Sequence, residues 1–161
     1  LLAGSIAVGF LKEPLSGQLS GTPLLRDRLL AVLPPEHPLA ACQQINPAML
    51  AGEPFIMLEV GRENEFADFF KSAGVTPVIR YRAKDDYTVM SMVESGLGMS
   101  VLHELVLRRN PYKLEIRDFT KTVYREIMVA YLPQSKTSPV VGEFLRFMTE
   151  AIQVQKLWET Y

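Results

Sequence analysis

Residues 29–40 read LLAVLPPEHPLA, and this stretch constrains the fold most. Five apolar residues in a row (Leu29, Leu30, Ala31, Val32, Leu33) stop abruptly at Pro34-Pro35. Such a run reads as a buried strand, and it ends where proline removes the donor that a β-ladder needs. A charged turn and His37-Pro38-Leu39-Ala40 follow.

The rest of the chain alternates between strand and helix signals. Ile6, Val8 and Phe10 alternate with Ala7 and Gly9, which predicts a short buried strand. Residues 12–23 are rich in Pro, Gly and Ser and predict a loop, with the next strand over residues 24–33. Asn46-Pro47 predicts a capped short helix reaching Leu50, and residues 54–58 another buried strand. Phe66, Phe69 and Phe70 share one face of a helix predicted over residues 62–73 and ended by Gly74. A strand over residues 78–82 leads to Asp85-Asp86, which predicts the cap of a helix with a Val89, Met92, Val93 stripe, stopped by Gly96. Residues 99–102, 114–116 and 124–131 read as strands. Ser138-Pro139 opens a last helix with Val141, Phe144, Leu145, Met148 and Ile152 facing inward. The alternation predicts an α/β protein with mostly parallel strands.

The 161 residues suit one domain or two small lobes. A net charge of −1, with cations spread along the chain, supplies no field of the kind that nucleic-acid binding requires. No stretch approaches the roughly 20 apolar residues of a membrane span. The single cysteine, Cys42, rules out an internal disulfide and fits a reducing compartment.

Three motifs occur in order along the chain: the strand running into His37-Pro38-Leu39-Ala40, then Gly52-Glu53-Pro54-Phe55-Ile56, then the run from Val93 to Leu102 that contains Gly96-Leu97-Gly98. Together they resemble the effector-binding domain of LysR-type transcriptional regulators, over nearly the whole chain. The resemblance implies an α/β fold of the periplasmic-binding-protein type 2, with two lobes joined by two crossover strands and a ligand cleft between them. It puts the crossings near residues 23–28 and 82–86. Lobe I is then residues 1–23 plus 83–161, and lobe II residues 24–82. Leu1-Leu2-Ala3-Gly4 reads as the glycine-capped end of a helix, so the first strand, the first helix and a DNA-binding domain are expected upstream of Leu1. Two positions depart from the family's pattern: Ala7, where aspartate is usual, and His103, where proline is more common.

No constellation for catalysis is present. His37, His103 and Cys42 lack the spacing of a metal pair or of a nucleophile and its base. Gly96-Leu97-Gly98 follows a helix and precedes a strand, the reverse of the dinucleotide-binding order, so its glycines serve a tight turn. The expected chain is therefore a binding module, not an enzyme, without cofactor or metal.

The expected ligand contacts fall where such folds collect ligands, beyond strand ends and at helix starts. Leu58, Glu59, Val60, Gly61 and Arg62 join a strand to a helix; Gly61 allows close approach, and Arg62 offers a donor for a carboxylate. Glu59 opposes an anion there. Lys84, Asp85 and Asp86 sit at the expected second crossing, with helix capping as the plainer role of the two carboxylates. The resemblance adds Met99 and Ser100. It also implies a small-molecule effector, and Arg62 with the neighbouring helix amides makes a carboxylate the first choice. It implies a cytoplasmic homodimer or homotetramer without a membrane contact, and promoter DNA held only by an upstream helix-turn-helix. A transporter's solute-binding protein has the same fold and stands as the alternative.

Overall fold

The computed structural model describes residues 1–59 and 65–155. In chain order the strands are β1 (Val8–Lys12), β2 (Ser20–Leu33), β3 (Gln44–Ile45), β4 (Pro54–Leu58), β5 (Val78–Ala83), β6 (Ser100–His103), β7 (Glu115–Phe119) and β8 (Tyr124–Tyr131). The helices are α1 (Glu65–Ala73), α2 (Asp86–Glu94), α3 (Glu104–Leu107) and α4 (Pro139–Gln155). Single 3-10 turns cover Pro38–Ala41, Pro47–Leu50 and Pro133–Thr137. The chain divides into two compact units: Leu1–Asp27 with Arg125–Tyr161, and Arg28–Tyr124.

In the first unit β1 pairs antiparallel with β8, Val8 opposite Tyr131 and Lys12 opposite Ile127. Its core gathers Val129 and Tyr131 from β8 with Val141 and Leu145 from α4, and Val8, Leu24 and Phe144 pack against them. The inward stripe expected for the last helix is therefore observed at Val141, Phe144 and Leu145; the side chain of Ile152 lies outside the described residues. β1 differs from expectation. Ile6, which precedes the strand, and Phe10 are exposed, and among the described residues β1 has a partner along one edge only. Asp27 is buried, and Arg125 donates to its Oδ2 from Nε at 3.1 Å and from Nη2 at 2.9 Å.

The second unit holds the larger core. β2 enters it through the run from Leu29 to Leu33, and all five residues are buried. β6 and β7 flank this half of β2, both antiparallel, with Val32 opposite Ser100 on one side and Ile116 on the other. β3 joins the far edge of β7 in parallel, and β4 and β5 form a second, parallel pair. Phe55 bridges in parallel to Met99, where Met99 N donates to Pro54 O and Ile56 N to Met99 O, both at 2.9 Å. The expectation of mostly parallel strands is thus corrected: the ladders on both sides of β2 are antiparallel, since β2 runs opposite to the strands it inserts between.

Local chemistry accounts for the motifs. His37 Nδ1 accepts from Leu39 N at 3.2 Å and Pro38 opens the turn, so the HPLA sequence is a capped 3-10 turn with proline where no donor is needed. Arg117 ties that turn to β7, its Nε donating to Ala40 O at 3.1 Å and Cys42 O at 3.0 Å. Phe55 meets Phe70 of α1 edge to face, with ring centroids 5.0 Å apart, and Phe69 packs on Phe119. Gly98 has φ +157°, and a Cβ there would lie 2.6 Å from Pro54 O, so only glycine lets α2 return to β6 so closely.

The unit boundaries also differ from expectation. One seam between the compact units lies between Asp27 and Arg28. The second lies between Tyr124 and Arg125 rather than at residues 82–86, so the second unit extends to Tyr124 rather than to residue 82. Residues 83–86 are the turn from β5 to α2, a helix start within one unit.

Candidate functional site

β4 and β5 run in parallel, and their carboxyl ends coincide: Leu58 is opposite Ala83. Glu59 N donates to Ala83 O at 2.8 Å, which carries the pairing one residue past the ladder. In open α/β sheets this edge is where ligands collect, because strand carbonyl ends and helix amide starts meet there. α2 begins at this edge, two residues after Lys84.

Five described charges occupy it. Arg82 donates from Nη1 to Glu59 Oε1 at 2.5 Å, with the side chains 54% and 41% exposed. The structure thus neutralises Glu59 with a partner 23 residues away, which no local pattern foretold. Lys84 is exposed, and among the described residues no carboxylate pairs with it. Asp85 is the N-cap of α2; it accepts from Thr88 Oγ1 at 2.7 Å and from Thr88 N at 2.9 Å. These bonds, led by that of the Thr88 hydroxyl, hold its carboxyl below the usual range. Asp86 follows in the first turn.

Of the expected contact residues, the structure brings Leu58, Glu59, Lys84 and Asp85 to this edge. Leu58 is buried and supports it from below. Met99 and Ser100 lie deeper. Both are buried, and the Ser100 hydroxyl donates to Ile56 O at 2.8 Å. Val60, Gly61 and Arg62 lie outside the described residues.

A second charged cluster stands where the chain enters this unit. Arg28 donates to Glu104 Oε2 and to Asp118 Oδ1, each at 2.9 Å. The hydrogen bond from Arg28 holds Glu104 below its ordinary value. Sequence reading passed over this cluster, since its members are 76 and 90 residues from Arg28.

The family described as the LysR substrate binding domain matches residues 1–153. The HTH-type transcriptional regulator YvbU of Bacillus subtilis (strain 168) is 29% identical over 90% of this chain and 50% of its own length. The RuBisCO operon transcriptional regulator of Allochromatium vinosum is 30% identical over 84% of this chain and 46% of its own length. The chain therefore spans about half the length of the curated relatives it matches. Among solved structures, the C-terminal domain of a probable LysR family transcriptional regulator from Rhodococcus sp. RHA1 superposes with a TM-score of 0.81 at 27% identity. That match covers 92% of this chain and 77% of the other. All three are transcriptional regulators, which leaves the transporter alternative without support.

Proposed function

This chain belongs to the LysR substrate-binding family, whose effector-binding domains have the periplasmic-binding-protein type 2 fold, and from that premise we propose that it is the effector-sensing domain of a transcriptional regulator. The family match over residues 1–153 carries the reading. The domain binds a small polar metabolite and does not catalyse a reaction. The longer protein, a cytoplasmic homodimer or homotetramer, holds promoter DNA through a helix-turn-helix outside this chain.

The contacts we assign to the metabolite are the carboxyl edge of β4 and β5, with Glu59, Lys84 and Asp85, together with Val60, Gly61 and Arg62 on sequence grounds. Leu58, Met99 and Ser100 form the support behind it. A sensor must release its ligand as concentrations fall, so dissociation constants in the micromolar to millimolar range are expected, roughly −4 to −8 kcal/mol. Among the described residues no helix is long and apolar enough to cross a membrane.

The test compares this chain with the full-length protein on a promoter fragment. With a net charge of −1 the chain alone gives no salt-dependent anisotropy change at physiological ionic strength. The full-length protein binds, and a metabolite extract alters its footprint. Binding by the isolated chain, or a footprint indifferent to every extract, refutes the reading.

A further inference from the structure

The edge formed by β4 and β5 carries charge of both signs. An anion alone is poorly served there. The first turn of α2 offers it little, because Asp85 already accepts from Thr88 N and Asp86 adds negative charge. A cation alone meets Arg82 and Lys84. A ligand bearing both charges suits the edge. Glu59 and Lys84 each lie one residue beyond a paired couple on adjacent strands, and such strands are about 4.8 Å apart. Side chains of opposite charge therefore leave this edge from neighbouring strands, close enough to meet one small ligand. The Glu59–Arg82 pair is half exposed, so its members are held weakly and can be shared with a ligand.

We propose that this edge selects a small zwitterion of the α-amino-acid type, with the ammonium group on the Glu59 carboxylate and the carboxylate on Arg82 and Lys84. The inference rests on the effector-sensing reading and narrows its ligand. It replaces the carboxylate preference, which drew on Arg62 and helix amides, with a recognition pair whose geometry is described.

The test is a thermal-shift and calorimetric panel on the full-length protein. It contains the twenty amino acids, their N-acetyl and carboxamide derivatives, and sets of organic acids and sugars. The expected result is that at least one amino acid stabilises the protein and that either derivatisation abolishes the shift. Glu59→Gln and Arg82→Gln each weaken that amino acid about tenfold, the loss of one charge-assisted contact, while Glu143→Gln on α4 leaves it unchanged. If organic acids or sugars bind while the amino acids do not, or if Glu59→Gln leaves an amino-acid hit unaltered, the zwitterion is overturned and the effector-sensing reading stands. Silence from the entire panel overturns the proposal together with the ligand-sensing reading.

Discussion

Replacing Arg125 with methionine will take two donors from a carboxylate that is out of reach of water. The Asp27 side chain has 0% exposure, and Arg125, at 27%, holds it through two donors to one oxygen. Removing one partner of a fully buried ion pair costs about 3–5 kcal/mol. Here the arginine is about a quarter exposed, so water can follow methionine into part of the gap, and we place the cost at about 2–3 kcal/mol. For a chain of this size that is a fall in Tm of about 5–10 °C, and of roughly 1 M or more in the urea midpoint. Asp27→Asn, which keeps an acceptor for the guanidinium, costs less, about 1–2 kcal/mol. The double variant Asp27→Leu/Arg125→Met removes both charges and restores most of the loss, since apolar replacement of a buried pair is often neutral or better. Urea unfolding followed by circular dichroism measures all three. Arg125→Met within about 0.5 kcal/mol of the parent, or a double variant no better than the single, refutes the reasoning.

Three further outcomes are expected. Ser100→Ala deletes a buried hydroxyl and leaves Ile56 O one donor short, a loss of about 1–2 kcal/mol in the same unfolding assay. Gly98→Ala drives a methyl group against Pro54 O from a backbone conformation that suits glycine, and loses about 2 kcal/mol or more. Glu104 has a depressed folded pKa, so its contribution to stability is complete above the ordinary carboxylate range and disappears as pH falls through the folded value. Arg28→Met returns the Glu104 titration, followed by NMR, to the ordinary range and flattens that part of the acid limb.

Local signals were the most legible part of the chain. Asn46 and Asp85 cap the elements that their residue types announce, and residues 124–131 form the strand their apolar run suggests. What escaped depends on distant partners. Lys84-Asp85-Asp86 punctuates a helix start equally well whether or not the chain changes unit there, and in the structure it leads into α2 within one compact unit. The apolar alternation of Ile6, Val8 and Phe10 marks a strand but does not tell an edge from a centre. Strand direction was misjudged because β2 is fourteen residues long and inserts between later strands. At the candidate site, Glu59 and its neighbours followed from the rule about strand ends. Arg82 did not, because an ion pair across two parallel strands leaves no periodic trace in sequence.

The second unit is one uninterrupted segment, Arg28–Tyr124, and its ends are stitched together by Leu29 N donating to Val123 O at 2.8 Å. A segment whose two ends meet is topologically a cassette, and such segments tolerate transplantation. The corresponding segment of another family member, spliced at the peptide bonds 27–28 and 124–125, should fold in this host with the host's Asp27 and Arg125 retained on either side of the joints. The exchange would carry the donor's β4 and β5 edge, and with it the donor's ligand preference, into a recipient whose first unit is unaltered. Grafts cut at residues 82–86 would instead sever β5 from α2 and divide one core between two parents.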